Sequence, residues 1–139
     1  MVPDEMQMQK LMYFVQREAL IQNGEPLFDE PFYGSKCGPY LASVHKMFHS
    51  EDPFHKEPYQ NVTGQPDTET KKIVASVLSR YGMKSRFRLS ELTHEELSWK
   101  WSRMGLSYGN PMMNEMDLRA MKVNAARELS WRKVDSPKH

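Results

Sequence analysis

Ser35 and Cys37 stand two positions apart within GEPLFDEPFYGSKCGPY, residues 24–40, and either could act as a nucleophile beside a suitable base. His45 and His94 are the candidate bases, and a cysteine just ahead of a helix N-terminus could hold a stabilised thiolate. Against this, the chain has no G-x-S-x-G nucleophile elbow and no acidic partner at a recognisable spacing. No catalytic residue is expected, and the protein reads as a non-enzyme. His45 and His49, four positions apart, raise the separate question of metal binding. A metal would need further ligands, and Glu51 and Asp52 are the acids near them in sequence. An exposed helix face gives the same spacing by chance, so no metal and no cofactor is expected. His94, inside LTHEE, fits a structural role at a helix junction, with a ring N–H on a backbone carbonyl.

The rest of the chain must position these groups. With 139 residues, 39% hydrophobic and 27% charged, it suits one globular domain, residues 1–139. Its apolar runs are only a few residues long, and MVPDEMQMQK carries acids where a secretion signal needs bases. The single Cys37 can make no internal disulfide. These features predict a cytoplasmic protein without membrane association. Net charge is +1, but residues 1–60 carry nine acids against five bases, so residues 61–139 sum to +5. KSRFR at 84–88 could touch phosphate, yet no dense basic stripe or separate helix-turn-helix module is visible, so nucleic-acid binding is not expected.

Helical signals dominate. From Asp4 to Asn23, Met8, Leu11, Met12, Val15 and Ala19 form one apolar face, and Gly24 is placed to stop the helix. Asp67 or Thr68 can cap a second helix, with Ile73, Val74, Val77, Leu78 and Tyr81 as its stripe and Gly82 at its end. Gly38 and Pro39 read as an entry turn with proline at the first helical position, followed by Leu41, Val44 and Phe48. Ser85 can cap a helix holding Leu89 and Leu92, and Thr93 with Glu96 fits a capping box opening the turn that leads to Trp99. A last helix is predicted from about Asn114 to Trp131, burying Met116 or Leu118, Met121, Ala125 and Leu129. Prolines 53, 58 and 66 make residues 50–66 an ordered surface loop. The expected fold is mainly α, a compact domain of five or more helices, with the first packed centrally against the one holding Ile73 to Tyr81. A small β element is expected around residues 27–37.

Residues 24–40 then read as a built connector. The chain leaves a helix at Gly24 and passes through PLFDEPFY with Leu27, Phe28 and Phe32 turned inward. Gly34 and Gly38 admit positive φ on either side of SKC.

Four pieces in order now carry a resemblance: MQKLMYFVQ (Met8 to Gln16), NGEPLFDEPF, KCGPYLASVHKMF and LSELTHEELSWK. Together they resemble the Panacea or SocA-like antitoxin domain family, also described as phage-associated Gep proteins, over about Met6 to Trp101. The matching positions are Gln9, Lys10, Leu11, Tyr13, Gly24, Pro26, Leu27, Phe28, Lys36, Gly38, Pro39, Thr93, His94 and Trp99. Where the family usually reads WKYGPV this chain has SKCGPY, and the usual THxExPW becomes THEELSW with Ser98 in place of proline. The resemblance implies a mostly helical antitoxin, common in prophages, that binds a cognate toxin protein directly. At least one member of the family presents its toxin to a protease. A phage- or prophage-encoded module that inhibits a host defence protein or acts as a proteolytic adaptor is the alternative it leaves open. Oligomeric state is not readable from the sequence.

Two stretches are candidates for the partner-binding surface. Tyr33, Lys36 and Tyr40 have polar tips on a connector fixed by glycine and proline, so binding would order little. Eleven methionines are present, and Met104, Met112 and Met113 lie in WSRMGLSYGNPMM, too apolar for an ordinary exposed loop. Flexible thioethers fill irregular cores and also suit adaptable surfaces.

Overall fold

Asp4 starts the first helix in the computed structural model, which describes residues 3–50 and 67–135. Its carboxylate accepts the Gln7 N–H at 2.8 Å while the Gln7 side chain accepts the Asp4 N–H at 3.1 Å, a reciprocal capping box. The helix, α1, spans Glu5–Asn23 and stops at Gly24, whose φ of 75° is a left-handed conformation that glycine adopts without penalty.

Five more helices follow among the described residues: α2 (Ala42–Phe48), α3 (Thr68–Tyr81), α4 (Arg86–His94), α5 (Leu97–Ser102) and α6 (Leu118–Asp135). Three short strands, β1 (Tyr33–Ser35), β2 (Gly38–Tyr40) and β3 (Asn114–Glu115), form an antiparallel sheet in the order β2-β1-β3. The fold is therefore mainly α, with α1 as the hub against which α2, α3, α4 and α6 pack.

Because neighbours surround α1, Leu11, Tyr13, Phe14, Val15, Ala19 and Leu20 are all buried, and they meet Phe32, Leu41, Ile73, Val77, Leu89, Met116, Met121 and Ala125 in one core. Phe14 stacks on Tyr81 with centroids 4.1 Å apart, and Tyr13 meets Phe32 edge to face at 5.7 Å. A helix enclosed on so many sides also buries polar residues, here Gln9, Lys10, Gln16, Arg17 and Glu18. Burial of such groups is tolerable only with partners. Glu18, at 2% exposure, accepts two hydrogen bonds from Arg132 of α6 at 2.8 and 2.9 Å.

Several expectations hold. Asp67 caps α3 by accepting the Thr70 N–H, Ser85 caps α4 by accepting the Arg88 N–H, and Gly82 follows α3. Others do not. Pro39 is not the first residue of a helix; it sits in β2 opposite Gly34, and α2 begins only at Ala42. Here β2 is an edge strand, where a residue without N–H is tolerated. The small β element expected around residues 27–37 is present as β1, which pairs with β2 and β3.

Thr93 and Glu96 form no capping box: the Thr93 hydroxyl donates back to the Ser90 carbonyl, and the Glu96 side chain turns into the core. The last helix starts at Leu118 rather than Asn114, since Asn114 and Glu115 pair with β1. Within it Met121 and Ala125 are buried as expected, whereas Leu118 and Leu129 are exposed, as are Leu78 of α3 and Phe48 of α2. The loop expected at residues 50–66 lies outside the described residues beyond Ser50.

Candidate protein-binding face

Two glutamines of α1, seven positions apart, hold the connector at both ends. Gln16 accepts the N–H groups of Leu27 and Phe28 and donates to the Phe28 carbonyl at 2.9 Å. Gln9 accepts the Leu41 N–H at 2.7 Å and donates to the Leu41 carbonyl at 3.2 Å. Each amide pairs with backbone N–H and carbonyl groups that would otherwise lack a partner.

The middle of the connector rests on α4 and α5. A Cβ on Gly38, whose φ is 126°, would lie 3.2 Å from Thr93 Oγ1 and 3.4 Å from Lys10 Cε, so three motif residues converge there. A Cβ on Gly34 would overlap the Ser102 hydroxyl. Trp99 donates its indole N–H to the Ser35 carbonyl at 2.8 Å and stacks on His94 at 4.2 Å. Burial lowers the His94 pKa, a hydrogen bond with the Cys37 backbone opposes this, and the Lys10 charge adds to the lowering. Burial also lowers Lys10, though Cys37 and Asp4 act the other way.

Beneath this sits a buried polar chain. The Tyr13 hydroxyl donates to Glu96 at 2.6 Å, Arg17 donates to the same Glu96 oxygen at 3.1 Å, and its other nitrogen bonds the Tyr81 hydroxyl at 2.6 Å. Desolvation and the neighbouring Glu96 charge push the Tyr13 pKa well up, which keeps its proton in place as the donor. Ser98 joins by touching the Tyr13 hydroxyl at 3.1 Å and donating its backbone N–H to Asn124 of α6 at 3.0 Å. Proline, which the sequence pattern puts at this position, has no such N–H.

The chain outside this frame presents an unusual surface. Trp101, Met104, Tyr108, Met112 and Met113 are all exposed, Met104 at 72% and Tyr108 at 79%. Under them lies buried Arg103. Its guanidinium donates to the carbonyls of Gly34, Met112, Asn110 and Tyr108 at 3.1, 2.6, 2.8 and 3.5 Å. One forked side chain thus fixes residues 108–112 and ties them to β1. An apolar loop held from below by its backbone stays open to solvent with its side chains outward.

A family model described as "Antitoxin SocA-like, Panacea domain" matches residues 8–100. The chain belongs to this antitoxin-like family. No curated protein and no solved structure matches it. The Panacea match ends within α5, so α6 and the exposed loop lie beyond it.

Most of the Panacea motif positions are thereby placed in the frame. Gln9, Lys10, Leu11 and Tyr13 point into the core or the connector, Gly24 and Pro26 turn the chain, and Leu27 and Phe28 are held by Gln16. Pro39 lies within the hairpin, in β2 opposite Gly34, and Thr93, His94 and Trp99 support it from below. Of the suggested partner contacts, Lys36 is exposed at the hairpin turn, closed by the Ser35 hydroxyl, while Tyr33 and Tyr40 face each other across β1 and β2 and are half-buried. Cys37 is exposed, His45 faces Glu5, and His94 stacks on Trp99 while hydrogen-bonding the Cys37 backbone.

Sequence reasoning missed Arg103, Gln9 and Gln16 as organisers. For the glutamines a signal existed, two polar residues seven apart on the face of an otherwise buried helix. For Arg103 there was none, because its acceptors are backbone carbonyls. No described helix is long and apolar enough to cross a membrane.

Proposed function

We propose that the protein is the antitoxin of a toxin–antitoxin pair and neutralises its cognate toxin by direct binding. The observation that carries this is the exposed apolar surface made by Trp101 near the end of α5 and by Met104, Tyr108, Met112 and Met113 of the braced loop that follows. Large aromatic and thioether groups on a prefixed backbone are the chemistry of a protein-binding surface: they bury area on contact and lose little freedom. Methionine adds tolerance of shape in the partner. The adjoining hairpin, joined to the loop through Arg103 and Gly34, extends this face to Lys36 with its positive charge.

The protein acts as a binder without catalysis. A cleft of about 760 Å³ is lined by Phe14, Arg17, Tyr81, Glu96, Trp131 and Arg132 among others, and the charged groups Arg17, Glu96 and Arg132 are engaged in the ion pairs of the frame. The deciding experiment starts from the gene next to this one. Its product is expected to arrest growth when expressed alone, co-expression with the present protein should restore growth, and the two should co-purify as a complex. Rescue without a complex would overturn the reading.

A further inference from the structure

Glu5, at the start of α1, reaches the end of α2. One of its carboxylate oxygens lies 2.9 Å from His45 Nδ1 and the other 2.6 Å from His49 Nε2. The two imidazoles stack at 4.2 Å, and one donor atom from each of the three residues falls within 4.8 Å of the others. Glu5 has a support of its own: Gln9, which clamps Leu41 just ahead of α2, places its amide 3.5 Å from Glu5 Oε2.

We propose that Glu5, His45 and His49 bind one divalent transition-metal ion of the zinc class, through the Glu5 carboxylate, His45 Nδ1 and His49 Nε2, with a fourth position open to water. Two imidazoles and one carboxylate form a donor set that suits zinc and its neighbours, whereas calcium and magnesium favour all-oxygen sites. His49 is the C-cap of α2, one turn beyond His45, and its N–H donates to the His45 carbonyl, so the end of α2 delivers both rings to the same side. Coordination bonds of about 2.0–2.2 Å put the ligand atoms of a tetrahedral ion roughly 3.3 Å apart. The present nitrogen–oxygen distances of 2.6 and 2.9 Å therefore need a small outward swing, and both rings have solvent to move into.

In the metal-free site the ring nitrogens facing Glu5 carry the N–H groups that donate to its carboxylate, and the ion would take the place of those two protons. The ring nitrogens facing Glu5 must be unprotonated to bind, so the remaining nitrogen of each ring carries the proton. The amide of Gln9 steadies the carboxylate from behind, as outer partners of metal ligands commonly do. The bound ion would staple the C-terminal end of α2 to the first turn of α1, adding to the Gln9 clamp at the other end of α2.

The test uses the full chain at about pH 7.5. Equilibrium dialysis against zinc should give one ion per chain, and cobalt should give visible bands of tetrahedral nitrogen and oxygen coordination without a thiolate charge-transfer band. Glu5→Gln, His45→Ala and His49→Ala should each weaken zinc by roughly tenfold or more, while their metal-free melting curves stay close to that of the parent. Cys37→Ser should leave binding unchanged. Full zinc binding in a His45→Ala/His49→Ala double variant, loss in Cys37→Ser, or no zinc retained by the unaltered chain would each overturn the proposal.

Discussion

The Arg103 guanidinium lies buried beneath the loop and donates a 2.6 Å hydrogen bond to the carbonyl of Met112, whose own side chain faces solvent. A buried charge thus orders an exposed apolar group. Lysine in place of Arg103 keeps the charge but presents one compact ammonium, which cannot reach Gly34 on one side and Asn110 on the other. Hydrogen bonds to charged groups are worth about 1.5–3 kcal/mol each, so Arg103→Lys should lower stability by about 2–3 kcal/mol. Hydrogen exchange should quicken at residues 104–113 while the amides of α1 stay protected. Equal loosening of both regions would show that Arg103 supports the whole core instead.

The ion pair between α1 and α6 has a sharper signature. Glu18 is almost fully buried and burial opposes its charge, but the Arg132 hydrogen bonds outweigh this and hold its pKa below the ordinary carboxylate range. Removing one partner of a buried pair costs about 3–5 kcal/mol, because the other charge is left desolvated. Arg132→Met should therefore destabilise strongly, and Glu18→Gln added to it should recover much of the loss in urea denaturation. A double variant no more stable than Arg132→Met would remove Glu18 as the cause.

His94 makes stability depend on pH. Its folded-state pKa is lowered, chiefly by burial against Trp99, so at falling pH the unfolded chain takes up the proton first. The stabilisation is complete above the unfolded value of about 6.5 and declines as pH falls through the lower folded value. Between pH 7.5 and 5.5 the urea midpoint of the parent should drop further than that of His94→Phe, which keeps the ring stack and cannot titrate. Parallel decline of the two would assign the dependence to other groups.

What the sequence made legible was local. Asp4, Asp67 and Ser85 cap helices as their types suggest, and Gly24 stops α1 in the left-handed conformation anticipated for it. Local motifs failed where a distant partner outbid the near one. Glu96 leaves the capping position to meet Tyr13 and Arg17, 83 and 79 positions away, and Pro39 is drawn into an edge strand by β1. At the candidate face, the methionines were identifiable as too apolar for a loop, but their exposure follows from Arg103 holding carbonyls, a relation that residue types do not encode. Glu5 was missed beside His45 for the same reason, lying 40 positions off.

Cys37 should be dispensable. It is exposed at the hairpin turn, where the chain needs its backbone N–H for Ser35 Oγ and asks nothing of its side chain. Cys37→Ala is expected to keep growth rescue and melting temperature, and alkylation of the thiol should change neither. Loss of a hydrolytic activity on alkylation would instead make it a nucleophile.

The partner face can be divided by substitution. Met104→Asp with Met112→Asp places two charges on groups already in water, so folding should be little affected, with changes within about 0.5 kcal/mol each. At the centre of an interface the same charges would have to be desolvated unpaired, costing several kcal/mol and more than a hundredfold in affinity. Growth rescue should fail while the melting temperature holds. The hairpin triple variant, Tyr33→Ala, Lys36→Glu and Tyr40→Ala, carries a different expectation. Tyr33 and Tyr40 are half-buried partners across β1 and β2, so it should lose some stability together with rescue. A folded loop variant that still rescues growth would move the binding face to the hairpin, and rescue by both variants would exclude this side of the molecule.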